Sequence, residues 1–148
     1  MSVKTVARAA WFAPALLFAL TLHQAYTAVQ LDKTLTTGVE TWAEVTRYDR
    51  SDRKDVTMVE LDLLVHMPDG STFERMNLTL PYSIGHRVEA DTVAVRVLSG
   101  GSQEVVLQEI GATHVHIAWS NFGMSLIGFL IAFTGVFGWN KMLRIQDN

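Results

Sequence analysis

The sequence predicts a membrane α+β protein: two transmembrane helices flanking a small antiparallel β-barrel or β-sandwich of about five strands. Three observations lead there. Two long uncharged apolar stretches lie near the ends of the chain, strand-like alternation fills the middle, and the charges are sorted by sign between ends and middle.

The first apolar stretch holds 23 residues between Arg8 and Asp32, and the second holds 31 between Glu109 and Lys141. About 20 apolar residues in helical form cross the hydrocarbon layer, and a soluble core helix of that length would carry a polar face. Neither stretch shows one, so residues 10–30 and 117–139 are read as the two spans. A cleaved signal peptide would also have a basic start, here Lys4 and Arg8, and an apolar middle. It would need a small-x-small cleavage site, and before Ala28 the bulky Tyr26 occupies the wrong place. An uncleaved anchor is therefore expected. The tails, 1–9 and 140–148, carry Lys4, Arg8, Lys141 and Arg144 against Asp147, whereas residues 31–118 hold 8 basic and 14 acidic groups. The positive-inside rule then puts both termini in the cytoplasm and residues 31–116 in the periplasm, across a bacterial inner membrane. The absence of cysteine fits either compartment.

Within 31–116 the period changes to two. Val59, Leu61, Leu63, Val65 and Met67 share one face of "VTMVELDLLVHM", with Glu60, Asp62 and His66 on the other. "PDG" at 68–70 supplies turn chemistry, and "STFERMNLTL" returns as the partner strand. "DTVAVRVL" and "EVVLQEI", separated by "GGS", read as the fourth and fifth strands. "GVETWAEVTRYDR" is the first, its inward face left open because Trp42 and Ala43 lie on opposite sides. The charged "DRSDRKD", Asp49 to Asp55, reads as a solvated hairpin tip, with a docking patch as the alternative.

Gly38, Ala43 and Val45 in the first strand, then Gly85 and the run Val93, Val95, Val97, give the chain a recognisable layout. With two helices flanking a β-domain, it resembles the bacterial domain-of-unknown-function family 3592. The chain departs from that family's Gly-Asp before the valines, with "HRVEAD" after Gly85, and from its Tyr-x-Pro after them, with "RVLSGG". The resemblance implies architecture and topology, and no chemistry.

No catalytic constellation is legible. Ser83 and Ser99 lack the His and Asp context of a nucleophile, there is no phosphate loop or dinucleotide fingerprint, and Asn77 in "NLT" reads as a plain strand residue. An acidic outer domain argues against a nucleic-acid partner. His114 and His116 would lie on one side of a strand, a pairing that can bind metal, yet no cysteine or carboxylate pair completes a zinc set. They read instead as interfacial histidines, and no metal or cofactor is expected. His23 falls in the outer half of the first span, where a polar residue is costly and often functional. A polar contact with a neighbouring helix is the leading reading for it; haem or pigment ligation is the alternative.

Ser125, Gly128, Ala132 and Gly135 form a small-residue stripe on the second span, and Ala15 and Ala19 a shorter one on the first. Such faces let helices approach closely in lipid, either within the chain or from another subunit. Trp11, Trp119 and Trp139 read as interfacial anchors. The expected partners are membrane lipid and the transmembrane subunits of a host. The expected function is a non-catalytic accessory subunit of a larger inner-membrane complex, with respiratory and photosynthetic electron-transfer complexes as possible hosts. The alternatives are an envelope binding module, whose β-domain holds a peptide, glycan or protein, and a ligand-bearing subunit acting through His23.

Overall fold

The computed structural model describes residues 3–53, 56–88 and 91–145. Lys54 and Asp55 of the charged linker, Glu89 and Ala90, and the outermost tail residues 1–2 and 146–148 lie outside the described residues. Two compact units are present: residues 29–116, and residues 1–28 together with 117–148.

The first unit is built on one curled antiparallel sheet, a half-barrel. Its strands are β1 (Val39–Arg53), β2 (Val56–His66), β3 (Thr72–Pro81), β4 (Thr92–Val97) and β5 (Val105–Leu107), ordered β3-β2-β1-β4-β5. The alternation read in β2 is realised, since Val59, Leu61, Leu63 and Val65 are all buried. Pairing of Ala43 with Val65 turns Ala43 inward and leaves Trp42 outward, stacked on His66 with centroids 3.9 Å apart. The β2–β3 turn is as its residues dictate. Gly70 takes φ +85°, Gly70 N donates to Met67 O, and Asp69 Oδ1 accepts from the Ser71 amide and hydroxyl.

Two strand boundaries differ from the sequence expectation. β1 runs on to Arg53, paired with Val56, so Asp49 to Arg53 is ladder rather than hairpin tip. A charged strand is tolerated there because backbone pairing is indifferent to side-chain charge as long as the charges reach water. "EVVLQEI" is strand only at Val105–Leu107, and Gln108–Ile145 is one helix, α4. Glu109 in its first turn complements the helix dipole. All three β5 residues are buried, because its second face is also covered: Val106 and Leu35 close around Gly111.

The short helix α3 (Tyr82–Gly85) folds onto β2 and β3, and the helical residues 29–37 and 108–116 also belong to this unit. Thr34 is fully buried and donates its hydroxyl to Gln103 O at 2.6 Å. The helix ends at Gly38, where a Cβ would stand 3.1 Å from both Val97 N and Val97 O. Only a residue without a side chain lets the chain leave the helix this close to β4.

The second unit contains α1 (Val3–Ala9), most of α2 (Phe12–Thr37) and most of α4. Pro14 explains the break at Ala10–Trp11, since its ring has no N–H and collides with the carbonyl four residues back. The Trp11 amide turns to Arg8 O, which deprives Ala7 O of its usual donor; Asn140 Nδ2 supplies one at 3.0 Å. Thr21, Ser125 and Thr134 return their hydroxyls to carbonyls four residues back, which satisfies them within their own helices. Trp11 meets Phe133 edge-on at 5.6 Å, and Phe18 meets Phe129 at 5.3 Å.

Gly85 tests how tightly α3 is seated. A Cβ there would lie 2.7 Å from Val59 Cβ, and that branched carbon cannot swing away. Gly85→Ala is expected to destabilise the protein by about 1–3 kcal/mol in thermal or denaturant unfolding. Gly123→Ala, where a Cβ meets no atom within 4 Å, should cost nothing comparable.

Candidate functional site

The strongest polar arrangement centres on Asp62. Opposite it, both neighbouring strands slip register: β1 between Val45 and Arg47, and β3 between Arg75 and Leu78. Each neighbour therefore spends an extra residue against the same point of β2, which bends the sheet there. Asp62 holds both irregularities. Its Oδ1 accepts from the Asn77 amide and its Oδ2 from Arg47 Nε, each at 2.7 Å, and its backbone oxygen accepts from the Thr46 hydroxyl at 3.0 Å. Asn77 takes φ +53° and accepts from Arg47 Nη2 at 2.9 Å, so it is a bulge residue rather than the plain strand residue expected. The Asn77 amide first, and Arg47 second, hold the Asp62 carboxyl below the usual aspartate range; Asp62 in turn raises Arg47 above its ordinary value.

Beside this bend lies an open cleft of about 640 Å³. Among the described residues β4 pairs with β1 only from Val39 to Glu44, and Val45 N donates to Asp91 O just beyond. The cleft occupies the space next to the remainder of β1 and is lined by Val45, Thr46, Arg47, Tyr48, Arg50, Tyr82, His86, Val88 and Asp91. The Arg50 guanidinium lies 4.6 Å from the Tyr82 ring centroid. His86 Nδ1 sits 2.6 Å from Tyr82 O, and because a carbonyl can only accept, Nδ1 is the donor of this bond, which orients the ring. Rings, guanidinium groups and an oriented imidazole suit recognition of a polar ligand. No nucleophile paired with a base is seen among the lining residues.

The histidines read from sequence do not come together. His114 and His116 are on α4 rather than a strand, and two residues of helix turn them about 200° apart, to opposite sides. The apolar, turn-free run from Val105 onward disguised a helix start as a strand. His23 is exposed on α2. Among the described residues no group of three or more His, Asp or Glu side chains converges as a metal ion would require.

The helix-packing residues have a more specific placement. Contact between the long helices runs through Trp11, Phe18, Phe129 and Phe133. A Cβ on Gly128 or Gly135 would meet no atom within 4 Å. Gly128 lies about 100° around the helix from Phe129, so the small stripe with Ser125 and Ala132 flanks the contact instead of forming it. Ala15 sits between the aromatic pairs, Ala19 is exposed, and Trp119 and Trp139 are 41% and 39% exposed.

Asp62 generates a pH prediction. Its folded pKa is depressed, so its stabilisation is complete above the unfolded aspartate value, about 3.9, and is lost as pH falls through the lower folded value. Asp62→Asn should lower the thermal midpoint at neutral pH and flatten the loss of stability as pH falls below the unfolded aspartate value, about 3.9. An unchanged acid profile in the variant would show that other carboxylates dominate. Comparison with known protein families, curated proteins and solved structures returned no match.

Proposed function

We propose that this chain is a non-catalytic accessory subunit of a larger bacterial inner-membrane complex. In this reading α2 and α4 are its spans, both termini are cytoplasmic, and the β-unit covers part of the host on the periplasmic side. One observation carries it. Both long helical stretches are apolar enough and long enough to cross a membrane, yet none of the 18-residue apolar window within Gln108–Ile145 is buried, and only 17% of that within Thr5–Thr37. A soluble core helix would be covered by its own protein. Here Leu16, Ile127 and Ile131 are 71%, 60% and 67% exposed, so something apolar outside the chain must cover them. Lipid can do so, and the glycines that the chain's own helix leaves uncovered suit the close approach of another helix. The resemblance to family 3592 implies the same layout.

The β1 cleft favours a second reading, an envelope binding module, in which Arg50, Tyr82 and His86 hold a polar ligand of the β-unit. Purification through a C-terminal tag in mild detergent, followed by native mass measurement, separates the two. The subunit reading expects a large co-purifying assembly that Gly128→Leu or Gly135→Leu weakens while the β-unit keeps its thermal transition. A lone chain or a small homo-oligomer would remove that reading. Loss of capture on replacing Arg50 or Tyr82, with the glycine variants silent, would establish the binding module instead.

A further inference from the structure

We propose that the groove between α2 and α4 is a binding site for an anionic phospholipid, a reading that rests on the two helices being membrane spans. One acyl chain would lie against Trp11, Phe18, Phe129 and Phe133, with the phosphate beside Arg8 and Arg144.

The groove is about 270 Å³ and is lined by those four rings together with Pro14 and Ala15. The two aromatic pairs, Trp11 with Phe133 and Phe18 with Phe129, bridge the helices at 5.6 and 5.3 Å. Between them Ala15 is too short to reach across, which is what leaves the space. The lining is hydrocarbon apart from the Trp11 indole N–H, and an apolar hollow of this kind does not hold water well. A flexible alkyl chain fills such a shape without a backbone to satisfy.

Charge selects a lipid over another helix. Residues 3–28 and 117–145 contain Lys4, Arg8, Lys141 and Arg144, and no Asp or Glu. The Asn140 side chain reaches Ala7 O at 3.0 Å, which brings Arg8 and Lys141, the next residue on each helix, to the same end of the unit. From the groove the ring row continues through Phe137, stacked on Phe133 at 6.2 Å. Arg144 follows seven residues later on the same side, about 10 Å further along the axis. An apolar row ending in cations, with no Asp or Glu among the described residues of this unit, matches the order of parts in a phospholipid, from chain to phosphate, and basic sites between helix ends bind anionic headgroups. An apolar partner helix would leave the excess of four cations over Asp147 in the two tails unmatched.

The test uses the full chain in nanodiscs containing equal phosphatidylglycerol and phosphatidylcholine, extracted gently and weighed by native mass spectrometry. The expected result is one phosphatidylglycerol retained per chain in preference to phosphatidylcholine. The double variant Arg8→Gln, Arg144→Gln should lose that preference, by roughly fivefold per charge removed. Ala15→Phe, which fills the groove, should release both lipids, while Leu16→Phe on the exposed side should release neither. Circular dichroism confirms that each variant keeps its helices. Equal retention of the two lipids, retention unchanged by Ala15→Phe, or a co-purifying polypeptide crosslinked at Ala15→Cys would each overturn the site. Membrane pelleting before extraction separates the two failures. A chain that remains in the supernatant defeats the spanning reading, whereas a pelleted chain without lipid preference defeats only the lipid site.

Discussion

The β-unit depends on a single carboxylate. Asp62 sits in the central part of β2, and each neighbouring strand carries its irregularity opposite it. Without a shared acceptor, the Asn77 amide and the Arg47 guanidinium would face each other across a broken ladder. With it, the two slips reinforce one another and the sheet bends at one place. The inward rows then change phase together, from Ala43 and Val45 to Tyr48 in β1 and from Phe73 and Arg75 to Leu78 and Leu80 in β3. That phase change aligns Leu78 and Leu80 with Leu61 and Val59, the surface on which α3 is seated. It also turns Tyr48 and Arg50 towards the side where Tyr82 waits.

The helical unit is arranged differently. In the β-unit the buried side chains are mostly Val, Leu and Ile, with Ala43 and Thr34 among them. In the helical unit many long apolar side chains are exposed, and several polar ones are turned back on backbone carbonyls. Hydroxyls of Thr21, Ser125 and Thr134 bond within their helices, and Asn140 serves a carbonyl that the proline break had freed. Such an arrangement is compatible with a hydrocarbon surrounding, where an unsatisfied polar group is the costly event and an exposed Leu is not.

Much of this was legible in the residues, and the omissions have causes. Local signals served well. The β2 alternation, the Pro68–Gly70 turn and the two uncharged stretches each depend on residues adjacent in sequence. The slips at Thr46 and Asn77 depend on pairing across strands, although their trace is present: the inward row skips a residue after Val45 and again after Arg75. The extension of β1 was masked because Asp49 to Arg53 looks like solvent-seeking loop, and a backbone ladder leaves no mark on side-chain type. The start of α4 was masked by three apolar residues running into Gln108 without a turn residue. Spacing alone located the glycines of the second span on one stripe, but it could not tell that aromatic rings beside them would carry the contact.

The bond from Asn140 to Ala7 joins residues 133 positions apart in the chain. A ribosome delivers the N-terminal helix long before it delivers Asn140, so throughout synthesis of the β-unit the Ala7 carbonyl has no donor from its own chain. The break at Ala10–Trp11 must therefore wait for its side-chain donor until α4 has been made. The two ends of the helical unit are thus tied by a bond that forms only once residue 140 has been joined to the chain.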